Sequence, residues 1–151
     1  MDFKLISSAF KYGEPIPVKY TCKGENVSPP FQWTAPPENT KSYIMIAEDV
    51  DAQFGWIHWV FYNIKAKVRE IEENRPKEYE LNDGSCQGFT DFREVGYTGP
   101  CKPNGTHKYY FRLYAIDTTL KSHLNMTKED IMRQIRGHVL ATAEYMGTFA
   151  I

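Results

Sequence analysis

The sequence lacks the charge and hydropathy patterns that mark nucleic-acid-binding and membrane-spanning proteins. Its 18 Lys and Arg balance 19 Asp and Glu, so no overall basic field attracts nucleic acid or an anionic membrane. No apolar run approaches the roughly 20 residues that a transmembrane helix needs. The first residues show no basic region followed by a long apolar segment. We therefore predict a cytoplasmic protein without a nucleic-acid partner and with, at most, peripheral contact to lipid headgroups.

Cysteine is also scarce, with three residues at positions 22, 86 and 101 and no C-x-x-C pair. One of them must stay unpaired in any intramolecular disulfide scheme, and reduced thiols are expected in a cytoplasm. The sequence leaves open whether any two are bridged, with Cys22 and Cys101 as the candidates in an exported protein. No G-x-S-x-G or comparable nucleophile motif is present.

Aromatic residues, by contrast, make up 15% of the chain, beside 9 Pro and 10 Gly, which favours strands joined by many turns. At 151 residues we expect one domain, residues 1–151. A helix is predicted after the N-cap Thr127, with its end at Gly137. Seven segments are predicted as strands, and with one or two short helices they indicate a mostly β sandwich or barrel. These segments are 3–8, 18–21, 31–33, 41–48, 57–64, 108–117 and 138–149.

The loop between the two most apolar predicted strands gathers two carboxylates, an indole and an imidazole. Asp49 and Asp51 lie two residues apart, so they point the same way in an extended segment. Two close carboxylates are unstable unless they share a cation, a proton or a donor. His58, at the head of the next strand, is the predicted donor, and Trp56 lies beside it. An acidic loop next to a surface histidine is the alternative.

A second segment, residues 96–109, is too rich in Gly and Pro to form a strand. We predict a loop of fixed shape whose tight turns leave backbone N–H groups free for an anion. His107 and Tyr109 at its exit add a switchable cation and a phenolic donor. The two segments together predict one pocket for a small anionic group.

Several motifs, in order along most of the chain, match one known family. Three motifs match fully: Cys22–Trp33 matches C-x-G-x-N-x-S-P-P-x-x-W, Trp56-Ile57-His58 matches W-x-H, and Gly96–Cys101 matches G-Y-x-G-P-C. Three others match in part. Asp49-Val50-Asp51-Ala52-Gln53 matches D-P-D-A-P without its prolines, His107-Lys108-Tyr109 matches H-R-Y with Lys for Arg, and Leu113–Asp117 is similar to L-Y-A-L-D. The chain thus resembles the phosphatidylethanolamine-binding proteins (Raf kinase inhibitor protein-like), in particular their small bacterial and archaeal members.

The resemblance implies a Greek-key-like sandwich of two antiparallel sheets and a non-catalytic pocket for phosphate, a carboxylate or phosphoethanolamine, with no cofactor. Carried over, the pocket comprises Asp49, Asp51, Trp56, His58, Gly99, Pro100, His107 and Tyr109. The absent prolines at Val50 and Gln53 predict a looser loop or a reshaped rim. The sequence ends at Ile151 and we expect it to lack the C-terminal helix of larger relatives, which predicts an open pocket mouth or homodimer contacts there.

Charge in this pocket leads to a specific hypothesis. Asp49 or Asp51 is expected to orient a protonated His58 and to raise its pKa, while His107, Tyr109 and loop amides face the oxyanion. The ammonium of an ethanolamine headgroup would meet the spare carboxylate or lie over Trp56.

Two other functions are compatible with the same residues. In the first, Asp49, Asp51, His58 and His107 hold a metal ion and catalyse hydrolysis, although the histidines lack helical i, i+4 spacing. In the second, which the family suggests, the protein regulates by binding, as an inhibitor of kinases or serine proteases. Nothing in the sequence identifies such a partner.

Overall fold

In a computed structural model, which describes residues 2–150, two antiparallel sheets pack face to face. The order is β1-β2-β5 in the smaller sheet and β6-β4-β3-β7-β8 in the larger one. The strands are β1 (Leu5–Ile6), β2 (Phe31–Trp33), β3 (Ser42–Asp49), β4 (Trp56–Lys65), β5 (Glu70–Ile71), β6 (Cys86–Gln87), β7 (His107–Ile116) and β8 (Val139–Phe149). The predicted mostly β sandwich is confirmed.

The central strands β3 and β4 of the larger sheet are buried on both faces, and apolar residues accordingly occupy consecutive positions along them. One face of β3 presents Tyr43 and Met45 to the core between the two sheets. The other face presents Ile44 and Ile46 to a second core. The continuous apolar run that predicted a central strand therefore corresponds to β3, which is buried on both of its faces.

The order of the strands brings the end of β3 and the starts of β4 and β7 together. β3, β4 and β6 lie side by side, and β7 returns to pair with β3, which is the Greek-key arrangement. At the end of β3, Asp49 is paired with Trp56 of β4 and with Tyr109 of β7. This register places both sequence-predicted loops at one end of the larger sheet.

The α-helix α1 (Lys128–Ile135) covers the second core. Its N-terminus has a capping box: the Thr127 hydroxyl accepts from the Asp130 N–H, and the Asp130 carboxylate accepts from the Thr127 N–H. Ile131 and Ile135 are buried, and Gly137 follows with φ +82°. The predicted helix is confirmed. No helix within residues 2–150 has the length and hydrophobicity to span a bilayer.

The predicted strand 18–21 is wrong, because Val18–Tyr20 forms a 3-10 turn. The N–H of Tyr20 donates to the carbonyl of Pro17, and the N–H of Thr21 donates to that of Val18. These local bonds replace the ladder of a strand, and Val18 is 54% exposed. The segment 3–8 forms only the short strand β1.

Candidate functional site

Asp49 lies buried at the end of β3 and has no free carboxylate oxygen. Its Oδ1 accepts from the N–H groups of Asp51 at 3.0 Å and Ala52 at 3.1 Å. Its Oδ2 pairs with Nδ1 of His107 at 2.6 Å. The side chain therefore shapes the loop that follows it and orients the His107 ring.

Asp51 and Val50 tie the same loop to the start of β7. Oδ2 of Asp51 accepts from the Lys108 N–H at 2.7 Å. The Val50 N–H donates to the Lys108 carbonyl at 3.2 Å. A proline at position 50 has no N–H to make that bond. A backbone hydrogen bond thus holds this loop at Val50, the first of the two positions where the family motif has proline.

The structure corrects the predicted partner of His58. Its Nδ1 lies 2.6 Å from the Thr98 carbonyl oxygen, whereas the Asp49 carboxylate orients His107. Burial lowers the pKa of His58, and the Thr98 carbonyl and the Asp49 and Asp91 carboxylates offset this effect only in part. The hypothesis of a carboxylate-raised pKa at His58 is therefore wrong.

Aromatic rings form the wall around His58. The Tyr109 ring lies 5.3 Å from the His58 ring and 6.4 Å from the His107 ring, centroid to centroid. Burial, together with the nearby Asp49 carboxylate, raises the pKa of Tyr109, which keeps its hydroxyl protonated as a donor. Trp56 is 39% exposed.

Phe92 completes that wall, and sequence reasoning missed it. Its ring centroid lies 4.9 Å from that of His58 and 5.7 Å from that of Trp56, both edge to face. It stands in an irregular segment after β6, where no motif or hydropathy period distinguishes it. Only the tertiary fold brings it between the two site residues.

The Gly/Pro loop contributes its shape, and two of its amides are already paired. The Gly99 N–H donates to Oδ1 of Asn26 at 2.7 Å, and the Thr98 N–H donates to the His58 carbonyl at 3.1 Å. The prediction of free amides is wrong at these two positions. A Cβ on Gly99 would lie 1.9 Å from the Tyr20 carbonyl oxygen, so only glycine fits.

A disulfide joins Cys22 to Cys101, which corrects the expectation of reduced thiols for these two residues. Next to it, the Cys22 N–H donates to the Pro100 carbonyl at 3.0 Å. Cys86 is free and buried. The bridge fastens the C-x-G-x-N segment to the loop that carries Gly99 and Pro100.

The residues of the hypothetical metal site do not form a ligand cluster. Across the described range, 2–150, no group of three or more His, Cys, Asp or Glu side chains could hold a metal ion. Both oxygens of Asp49 and one oxygen of Asp51 are already bonded to protein donors. The geometry does not support metal-dependent hydrolysis by these residues.

Comparison with known proteins matches this picture over nearly the whole chain. The sequence profile described as phosphatidylethanolamine-binding protein matches residues 6–150. The chain belongs to the phosphatidylethanolamine-binding protein family. A UPF0098 protein of Methanothermobacter thermautotrophicus is 44% identical over 146 residues, which cover 96% of this chain and 97% of that protein.

Two crystal structures share the fold. A putative family homologue from Chlamydia trachomatis superimposes with a TM-score of 0.88 at 38% identity, over 99% of this chain and 97% of the other. YbcL of E. coli, described as a new member of the mammalian phosphatidylethanolamine-binding protein family, superimposes with a TM-score of 0.91 at 29% identity. That match covers 100% of this chain and 99% of YbcL. The family resemblance predicted from the motifs is confirmed.

Proposed function

We propose that this protein is a non-catalytic binding protein whose pocket accepts phosphate or a phosphoethanolamine-like phosphate ester. One observation carries the proposal. His58 and His107 each direct Nδ1 at a fixed oxygen, of Thr98 and Asp49 respectively. Within residues 2–150 the side-chain hydrogen bonds of both rings run through Nδ1. Two oriented imidazoles thus keep one nitrogen each for a ligand.

These two rings suit a phosphate that carries a proton. Burial keeps His58 neutral at neutral pH, so with Nδ1–H donating to Thr98, its Nε2 accepts from a P–OH group. In its protonated form His107 keeps its bond to Asp49 and donates from Nε2 to a phosphate oxygen. Each such charge-assisted bond contributes about 1.5–3 kcal/mol.

The Asp49 carboxylate is paired with His107, so it does not oppose an anion as a free charge. For the same reason it is not spare for the ammonium of an ethanolamine group. The exposed indole of Trp56 is the better contact, through a cation–π interaction. Cys101 lies in a disulfide, so it offers no thiolate for nucleophilic catalysis.

Calorimetric titration with phosphate and with phosphoethanolamine, beside crystals soaked in each, tests the proposal. We expect saturable binding, with density between His58 and His107. Alanine at either histidine should weaken binding by tenfold or more, from the loss of one charge-assisted bond. His123→Ala is the matched control, because that histidine is exposed and, within residues 2–150, its side chain bonds to the Leu124 carbonyl of its own loop. An empty site at high ligand concentration would refute the proposal.

An inhibitory role toward serine proteases or kinases is a second candidate, favoured by an exposed apolar loop. Phe54 is 97% exposed and Val50 is 37% exposed, on the loop that borders the pocket. Protein-contact surfaces are often built from exposed apolar side chains of one segment. Stoichiometric inhibition of one protease in a panel, lost in Phe54→Ser, would support this role.

The cytoplasmic location and the homodimer stay predictions.

A further inference from the structure

The Cys22–Cys101 disulfide lies between the two halves of the proposed pocket. Thr98 and Gly99 precede Cys101, and His107 follows it along the chain. Cys22 and Cys101 are both partly exposed, whereas the third cysteine, Cys86, is buried. A reductant therefore reaches this bridge more readily than it reaches a core cysteine.

The segment before the bridge is fastened without it. The Gly99 N–H bonds to Asn26, and the hydroxyl of Tyr97 donates to the Tyr20 carbonyl at 2.6 Å. The Pro100 carbonyl accepts from Cys22 at 3.0 Å. Loss of the disulfide leaves all these bonds possible, so the Thr98 carbonyl stays in place beside His58.

The segment after the bridge is different. Residues 102–106 are exposed apart from partly buried Pro103, and across the described chain none of the five takes part in a hydrogen bond. Gly105 has no neighbouring atom within 4 Å of a Cβ position. The loop is therefore held at its two ends, by the disulfide at Cys101 and by the first residue of β7, His107.

We propose that this disulfide is a reversible redox site that sets the ligand affinity of the pocket, an inference that rests on the proposed function. With the bridge closed, the short loop restrains His107, which keeps its Nδ1 on Asp49. With the bridge open, residues 101–106 gain conformational freedom, and anion binding must order them again. The oxidised form is the high-affinity form.

Opening of the disulfide needs only a dithiol as the reductant. One thiolate of the reductant attacks a sulfur of the bridge and forms a mixed disulfide, which releases the other cysteine as a thiolate. The second reductant thiol then displaces the remaining protein sulfur. The products are two protein thiols and one cyclic or protein disulfide, and the reverse exchange restores the bridge.

Calorimetry with inorganic phosphate, on oxidised protein and on protein reduced by dithiothreitol, tests the proposal. A thiol count establishes each redox state. We expect phosphate affinity to fall about tenfold on reduction, which corresponds to one weakened hydrogen bond. The double variant Cys22→Ser/Cys101→Ser should bind like the reduced protein and ignore the reductant, whereas Cys86→Ala should respond like the wild type.

Amide hydrogen exchange supplies a readout that does not depend on the ligand. We expect faster exchange after reduction at the Lys108 amide, which donates to Asp51 just beyond the loop, and unchanged exchange at the Thr98 and Gly99 amides. Equal phosphate affinity before and after complete reduction would overturn the redox proposal alone. No phosphate binding by the oxidised protein would refute the proposed function instead, and unchanged exchange at the Lys108 amide would overturn the tether. Loss of the whole near-ultraviolet circular dichroism signal on reduction would mean that the tertiary structure is lost, which would also overturn the proposal of a local change.

Discussion

The Thr98 carbonyl oxygen lies 2.6 Å from Nδ1 of His58, while the Thr98 N–H donates to the His58 carbonyl at 3.1 Å. The two residues therefore bond through both backbone and side chain, and the imidazole is oriented by a neutral group. Because no carboxylate holds this ring directly, burial decides its charge, and its pKa is lowered. A titration of stability against pH follows from this relationship.

His58 should make the folded state less stable in acid. Its folded pKa is lowered, so between the folded and unfolded pKa values the unfolded chain binds more protons, and stability falls as pH drops below about 6.5. His58→Gln should reduce that slope by at most about 1.4 kcal/mol per pH unit. Urea unfolding between about pH 5 and 8 measures it. An equal slope in His58→Gln and in the wild type would contradict the prediction.

Asp49→Asn should cost both stability and ligand affinity. The buried Asp49 carboxylate bonds to two backbone amides and to His107, and loss of its charge weakens all three contacts. We expect a loss of about 2–3 kcal/mol in the free energy of unfolding. The control is Asp117→Asn, which removes the surface pair with His138 at 2.7 Å and should cost about 0–1 kcal/mol. Equal losses in the two variants would show that burial of the pair is unimportant.

Gly99→Ala should displace the pocket loop. The added Cβ would lie 1.9 Å from the Tyr20 carbonyl oxygen, so backbone must move. We expect a destabilisation of about 1–3 kcal/mol, as for other overpacked sites, and weaker phosphate binding. Thermal unfolding and calorimetry measure the two effects. Lys102→Ala, in the exposed part of the same loop, should change neither, and wild-type behaviour of Gly99→Ala would exclude a close approach at this position.

Reduction should lower the free energy of unfolding. The Cys22–Cys101 bridge spans a sequence separation of 79 residues, and closure of so long a loop stabilises a fold by about 4–5 kcal/mol at 25 °C in the chain-entropy account. Urea unfolding with and without reductant measures the loss. Cys22→Ser/Cys101→Ser should show the reduced value in both conditions. A change below about 1 kcal/mol would mean that the unfolded chain is not restrained by this bridge.

The strands that carry the site residues could be predicted, because the pattern of apolar residues along each strand shows which of its faces are buried. The run Tyr43–Ala47 and the aromatic segment 57–64 are apolar on both faces, and they form β3 and β4. The alternation in 108–117 likewise predicted β7. Thr127 and Asp130 carry the capping chemistry that starts α1. In each case neighbouring residues contain the whole signal.

The pairing of site residues could not be predicted, because it depends on strand register. Asp49 lies opposite Tyr109 in the β3–β7 ladder, which places His107, and not His58, at its carboxylate. No local pattern encodes that alignment. The sequence named Cys22 and Cys101 as candidates but left their pairing open, since 79 positions separate the two cysteines and no local pattern brings them together. Phe92 reaches the pocket from an irregular segment without any motif.

Val50 shows that one loop can be stabilised in two different ways. A proline at this position would restrict the unfolded chain, an entropic contribution of about 0.4–1 kcal/mol, but would forfeit the amide that donates to Lys108. Valine keeps the bond, a contribution of similar size with enthalpic origin. The loop after β3 in this protein should therefore respond to urea and temperature unlike the same loop with proline at position 50.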